Sequence, residues 1–241
     1  MQTTLEVVEE EVGSLRRLVS EFSSFARLPQ AELAPADLGE FFRGERDHLT
    51  AESPSESPSI MGDASLLQDL DLTFEIPDGA MPVEIEREML HRGFGNLVRN
   101  AAQAIRDARD AAVKGSSGGP NPRSPTPSER WTPRDKGKIA VTVRRDADFC
   151  RIDIDDSGPG IEPDLLPTIF DPYVTTKRDG TGLGLCIVKK IIVDHGGTID
   201  AAASPLGGAR LRIRLPRAGT TAAKAARESL ARSAEAPPSF S

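Results

Sequence analysis

Four short stretches of this sequence carry residues whose types and spacing could do chemistry. Asn96 and Asn100 lie four apart, with Gln103 three further on, so on a helix they share one face. Asparagine is a poor helix former. Its neutral amide oxygen suits a hard cation such as Mg²⁺, which keeps most of its waters beside a bound phosphate. Next comes Asp155-Asp156-Ser157-Gly158-Pro159-Gly160, where Gly158 and Gly160 let backbone approach a flat ligand closely. A carboxylate at a strand end can accept from an exocyclic amine such as that of adenine. Asp156, two before the first glycine, is better placed for this than Asp155. Thr176 and Lys177 then offer a hydroxyl and a mobile positive charge, and lysine is a fitting point charge for a terminal phosphate. Finally Gly180-Thr181-Gly182-Leu183-Gly184 opens a helix, leaving backbone N–H groups free at an N-terminus, an anion site by geometry and dipole.

Each stretch alone has an ordinary alternative: two solvated asparagines, an Asp-rich turn, a surface turn, and a glycine loop that lacks both G-x-G-x-x-G after a strand and G-x-x-x-x-G-K-[ST]. Together they run in one order with complementary roles: metal, adenine, lid, phosphate.

The elements that must position them can be read from periodicity. Residues 84–111 form a long helix whose apolar side carries Leu90, Phe94, Leu97, Val98, Ala101 and Ile105. Residues 183–193 form a second helix, ended by His195-Gly196-Gly197. Strands are expected at 70–76, 139–143, 149–154, 198–203 and 209–215. In the last, Ala209, Leu211, Ile213 and Leu215 alternate with Arg210, Arg212 and Arg214, one face for a core and one for water. Hairpin-sized turns between strands predict a mixed or antiparallel sheet with helices on one face, an α+β two-layer sandwich over residues 70–216.

Outside that block the organisation is looser. Leu5, Val8, Val12, Leu15, Val19, Phe22 and Ala26 trace a heptad seam, so residues 1–29 read as one long helix in need of a partner, closed by Pro29. Residues 30–69 read as a connector with a short apolar stretch at Leu38, Phe41 and Phe42, then a low-complexity mobile loop around 53–59. A Gly/Pro/Ser-rich insertion at 114–136, including Trp131, is expected to be disordered, and the Ala/Ser/Arg-rich tail at 217–241 to fray. The 241 residues are 38% hydrophobic with a formal net charge of −7, which gives no electrostatic reason to bind nucleic acid or anionic lipid. Cys150 and Cys186 have no metal or disulfide spacing, and no apolar run reaches the roughly 20 residues of a membrane span. A cytoplasmic chain without nucleic-acid or membrane contact is expected.

The four stretches together resemble the ATPase domain shared by histidine kinases, DNA gyrase, Hsp90 and MutL. Asn96-Leu97-Val98-Arg99-Asn100-Ala101 is similar to the N box, Asp156 to Gly160 to the G1 box, Phe170 to Tyr173 to the F box, and Gly180 to Gly184 to the G2 box. Phe170 and Tyr173 are both expected to anchor their loop on the core. The resemblance implies bound ATP and Mg²⁺, with the metal on Asn100 and with Asn96 supporting phosphate or metal-bound water. It places Asp156, Gly158 and Gly160 at adenine, and Thr176, Lys177, Gly180, Thr181, Gly182, Leu183 and Gly184 around the phosphates. Asn96 and Lys177 are the candidate catalytic residues.

The first N-box position separates the branches. The gyrase, Hsp90 and MutL branches carry Glu there as general base for water. Here it is Asn96, whose amide accepts no proton near neutral pH, and this points to a kinase. Residues 14–27 resemble the second helix of the dimerisation hairpin in nitrogen-regulation-type sensor kinases, so half of a four-helix homodimer bundle is expected, feeding a response regulator. The sequence departs from that pattern in one respect. His48, His91 and His195 do not lie in His-Glu-x-x-Asn-Pro, so the phosphoacceptor is expected on another helix, upstream or in trans. Two alternatives remain open at this point: a non-catalytic, nucleotide-gated dimerisation module, and a Ser/Thr kinase of the anti-sigma-factor type.

Overall fold

The computed structural model describes residues 31–50, 66–67, 69–115, 136–177 and 180–235. The heptad helix, the 53–59 loop and most of the insertion, Trp131 included, lie outside them. Among the described residues the elements are, in order, β1 (Ala34–Asp37), α1 (Leu38–Thr50), β2 (Leu70–Glu75), β3 (Pro82–Ile85), α2 (Arg87–Gly115), β4 (Gly137–Arg145), β5 (Phe149–Asp156), α3 (Gly184–Asp194), β6 (Thr198–Ala203), β7 (Ala209–Pro216) and α4 (Thr221–Glu235).

Five strands make one sheet in the order β2-β4-β5-β7-β6. The β2–β4 pair is parallel and the other three pairs are antiparallel, so the sheet is mixed. The α+β sandwich expected from the alternation is what forms. Ile139, Val141 and Val143 of β4, Ile152 and Ile154 of β5, and Leu211, Ile213 and Leu215 of β7 point to one face. Leu97, Val98 and Ile105 of α2, with Val188 and Ile192 of α3, pack in the same buried cluster. The opposite face is polar. There Arg210 forks onto Asp155 at 2.9 and 2.8 Å, and Arg212 meets Asp153 at 3.0 Å across β5 and β7.

Three segments differ from the sequence expectation. The supposed connector supplies β1 and α1, and Leu38, Phe41 and Phe42 join the main core. Phe42 meets Phe94 of α2 edge-on, with ring centroids 5.2 Å apart. Asp37 starts α1 by accepting from the Glu40 N–H at 2.9 Å, and it also takes the Met81 N–H at 2.7 Å. Burial opposes its ionisation, yet these backbone donors hold its carboxyl below the usual range. The long helix begins at Arg87 rather than Glu84, because Val83 to Ile85 pair with β1 as β3. Glu86 then caps it, accepting from the Glu88 and Met89 N–H groups at 3.0 and 2.7 Å.

The third difference is the tail. Its residues 221–235 form α4 rather than fraying. Alanine is the best helix former, and small side chains allow close docking. Ala223 is buried and Ala226 lies over Gly196, leaving no room there for a side chain. Arg227 reaches Glu84 of β3. A small open cleft lined by Leu33, His195, Ala223 and Leu230 sits beneath α4, at the end of α3 opposite Gly184. No helix among the described residues is long and apolar enough to cross a membrane.

Candidate nucleotide site

The apolar stripe of α2 is buried against the sheet, which turns Asn96, Asn100 and Gln103 toward the loop that precedes α3. Asn96 is 8% exposed, and its Oδ1 accepts from the guanidinium of Arg99. Asn100 and Gln103 are half-buried. The Nζ of Lys177 donates to Gln103 Oε1 at 2.8 Å and to Asn100 Oδ1 at 3.4 Å. Each asparagine oxygen of this helix face thus meets a cation belonging to the chain itself. Burial pushes the Lys177 ammonium pKa down, with the Asp107 carboxylate opposing and the Arg99 charge adding to the shift.

At the end of β5 the pleat sends Asp155 and Asp156 to opposite faces. Asp155 goes outward and is occupied by the bidentate Arg210. Asp156 goes inward, 8% exposed, and its Oδ1 accepts from the Gly158 N–H at 2.8 Å and the Ala209 N–H at 3.1 Å. Among the described residues its Oδ2 has no hydrogen bond, so it remains available to a donor such as an exocyclic amine. Burial raises the Asp156 pKa. The Ala209 and Gly158 N–H groups pull it back, and the Asp155 charge raises it further. The following turn is tied to β4 by Lys138 N–H to Ser157 Oγ at 2.8 Å and Ser157 N–H to Lys138 O at 3.0 Å. Gly160, with φ of +81°, lies against Gly208. The place a Cβ would occupy on Gly158 is 3.4 Å from Ala104 Cβ, one turn of α2 beyond Asn100. The Asp156 turn and the amide face of α2 therefore lie side by side.

The lid loop is fastened from both ends. Phe170 packs against the core, as expected, but Tyr173 does not, being 61% exposed. Its backbone provides the anchor instead. The Tyr173 N–H donates to Gly182 O at 3.1 Å, with Tyr173 at φ of +67°. Gly182 has φ of +69°, and a Cβ there would fall 2.5 Å from the Tyr173 carbonyl carbon, so only glycine fits. Between these points, Lys177 N–H donates to Thr175 Oγ1 at 3.1 Å and Gly180 N–H to Lys177 O at 3.2 Å. This turn aims the Lys177 side chain at α2. Thr176 is exposed and, among the described residues, makes no hydrogen bond, so the structure does not bring it into the cluster.

Beyond the lid, Thr181 Oγ1 takes the Leu183 N–H at 3.3 Å. Leu183 is buried with Met89, Ile187 and Ile191, which fixes the start of α3 on α2. The first turn of α3 has no acidic residue and no side-chain cap, so its N–H groups are open to an anion. A Cβ on Gly184 would lie 3.5 Å from Asn100 Nδ2, which puts this helix end beside the amide face.

A metal would fit this donor set in a particular way. Among the described residues no three His, Cys, Asp or Glu side chains are grouped for an ion. An ion here would take one amide oxygen from the chain and its remaining ligands from phosphate and water, as Mg²⁺ does. Asn100 Oδ1 already faces a positive charge at 3.4 Å, so the orientation suits a cation.

Sequence pattern alone does not single out Gly208 and Ala209, whose contacts with Asp156 cross from the β6–β7 turn. A Cβ on Gly208 would lie 2.1 Å from Asp156 Oδ1. The pair Gly207-Gly208 before an alternating strand is the available signal, but it looks like any hairpin turn.

Residues 85–219 match the family described as Histidine kinase-, DNA gyrase B-, and HSP90-like ATPase. The chain is 32% identical over 213 residues to nitrogen regulation protein NtrY of Azorhizobium caulinodans, covering 88% of this chain and 23% of that protein. It is 38% identical over 122 residues to sensory histidine kinase/phosphatase NtrB of Rhizobium meliloti, covering 49% of this chain and 28% of that protein. The solved catalytic domain of histidine kinase ThkA, in a nucleotide-free form, matches with a TM-score of 0.53 at 27% identity, over 77% of this chain and 96% of that one. The chain spans about a quarter of the length of these curated relatives. It belongs to the histidine kinase-, DNA gyrase B- and HSP90-like ATPase family, alongside sensor histidine kinases.

Proposed function

We propose that this chain binds ATP with Mg²⁺ and transfers the γ-phosphate to a histidine that lies outside the described residues. The observation that carries this reading is Asn96. At the helix position one turn before Asn100, where a hydrolase needs a base for water, stands a buried amide whose oxygen is already engaged by Arg99. An amide takes no proton near neutral pH, so ATP would persist until a protein acceptor arrives.

The proposed roles are these. Asp156 Oδ2 would accept from the adenine amine, and Gly158 and Gly160 would let the ring approach. Gly182 and Gly184 would present N–H groups to the phosphates near the start of α3, and Gly180, Thr181 and Leu183 would line the same loop, with the Gly180 and Leu183 N–H groups first released from Lys177 O and Thr181 Oγ1. Lys177 would supply positive charge to the terminal phosphate. Asn100 would hold Mg²⁺, which supplies neutralisation of phosphate charge when bound. Thr176 would join only after the lid turn rearranges.

The three histidines of the chain support an acceptor elsewhere. His195 is buried, its Nδ1 donating to Ile191 O at 2.7 Å while Nε2 accepts from the Glu86 N–H at 3.0 Å. His91 is held by Glu45 at 2.6 Å, and His48 lies edge-on to His91 with ring centroids 5.9 Å apart. A phosphoacceptor must be open to in-line attack, which the buried His195 and the Glu45-bound His91 do not offer; His48 is exposed but does not lie in a His-Glu-x-x-Asn-Pro segment. The acceptor helix, homodimerisation through the heptad seam and onward transfer to a response regulator belong to the same proposal.

The test is incubation with radiolabelled ATP and Mg²⁺, with and without a helical hairpin carrying His-Glu-x-x-Asn-Pro. Acid-labile label on the hairpin and none on the chain is expected. Nucleotide binding with no transfer to any hairpin would favour a nucleotide-gated dimerisation module instead. Acid-stable label on a serine-bearing partner would favour a Ser/Thr kinase.

A further inference from the structure

The side chains facing Lys177 suggest more than a phosphate ligand at rest. The ammonium does not extend into solvent from the lid. It reaches across to α2 and donates to Gln103 at 2.8 Å and Asn100 at 3.4 Å. The shorter of the two contacts goes to Gln103, which lies one turn past the amide proposed for the metal. The lid backbone is arranged for this reach, since Thr175 Oγ1 and Gly180 N–H bracket Lys177 on either side. Two positive charges cannot share the Asn100 oxygen, so a lysine parked here and a metal on Asn100 exclude each other.

We infer that Gln103 is a positioning residue that holds the lid lysine over the metal-binding amide until Mg²⁺–nucleotide displaces it. Gln103 acts through Lys177 and sets the nucleotide-free position of that side chain, a regulatory contact that rests on the proposed nucleotide site. A neutral glutamine suits this role because it gives one acceptor to an ammonium without the charge that would bind the lysine too tightly to release. Once nucleotide arrives, the phosphates offer Lys177 stronger acceptors, and Asn100 is freed.

The experiment measures Mg²⁺–ATP affinity by calorimetry for the full chain and for Gln103→Leu, Gln103→Glu, Lys177→Ala and Gln103→Leu/Lys177→Ala. Removing the parking acceptor should tighten binding about three- to tenfold, the net size of one ordinary intramolecular hydrogen bond. Gln103→Glu should weaken it. In the Lys177→Ala background, Gln103→Leu should have no effect, because there is no lysine to park. Weaker binding by Gln103→Leu, or the same change with and without Lys177, would overturn the inference and make Gln103 a direct nucleotide contact. A second measurement needs no nucleotide. Trypsin cleavage after Lys177, followed by mass spectrometry, should be faster in Gln103→Leu than in wild type, and equal rates would also overturn the inference. Failure of the wild-type chain to bind Mg²⁺–ATP, with faster cleavage in Gln103→Leu, would keep the contact and defeat the nucleotide reading alone.

Discussion

The carboxylate of Asp156 at the end of β5 accepts the backbone N–H of Ala209 at the start of β7, 3.1 Å away and 53 residues later in the chain. Gly158 N–H reaches the same oxygen, Oδ1. Asparagine can keep Oδ1 in place and put an amide nitrogen where Oδ2 was. Asp156→Asn is therefore expected to keep the fold while turning the proposed adenine acceptor into a donor, at a cost of roughly 1.5–3 kcal/mol in nucleotide binding. Calorimetric titration with ATP and with GTP checks this, and unchanged ATP affinity would remove Asp156 from the adenine site.

The pH behaviour of Asp156 has a definite sign. Its folded pKa is raised above the ordinary 3.8, chiefly by burial. Its stabilising contribution is then full below that ordinary value and is lost as pH rises through the raised one. Nucleotide binding should run the other way and weaken as pH falls through the raised value. Asp156→Asn should abolish both dependences in parallel unfolding and binding series.

Gly208→Ala should damage the same site from the opposite side. The new methyl would stand 2.1 Å from Asp156 Oδ1 and 2.5 Å from its carbonyl oxygen. Overpacking of this kind costs about 1–3 kcal/mol, and here it must move the carboxylate proposed to meet adenine. Denaturant melts should show the destabilisation and titration a loss of ATP affinity. A variant that melts and binds like wild type would contradict this apposition.

Asn100→Ala should leave the fold intact, because Asn100 is half-buried and water can replace its contact with the Lys177 ammonium. The expected loss is specific to the metal. ATP affinity should no longer respond to added Mg²⁺, while binding without Mg²⁺ stays near wild type. Retained Mg²⁺ dependence would move the metal off Asn100.

Helix α4 should be separable from catalysis but not from stability. Ending the chain after Thr220 removes the burial of Ala223 and the cover of Ala226 over Gly196. A loss of roughly 1–3 kcal/mol in unfolding free energy is expected from the apolar area exposed, with ATP affinity preserved. Equal stability of the truncated and full chains would mean that α4 does not dock in solution.

Much of this protein is decided locally. In β7 the alternation of Leu211, Ile213 and Leu215 with three arginines is enough to define a strand and its buried face, because the pleat repeats every two residues. The four-apart spacing of Asn96 and Asn100 likewise assigns them one helix face, and the buried Leu97, Val98 and Ile105 confirm which side of α2 is left for them. The glycines of 180–184 mark an open helix start for the same kind of reason.

Other features exist only through distant contacts. Residues 38–42 look like a connector until Phe42 meets Phe94, and residues 83–85 look helical until they pair with β1. The alanines of α4 form no visible stripe, yet they dock because Gly196 has no side chain in the way. Spacing distinguishes Asp156 from Asp155 in the sequence, but the different surroundings of the two are tertiary: Arg210 occupies one carboxylate, and Ala209 and Gly158 orient the other. Lys177 and Gln103 lie 74 residues apart, and only the folded lid brings them to 2.8 Å. Periodicity records how a residue sits on its own element, whereas partners across elements depend on how those elements pack.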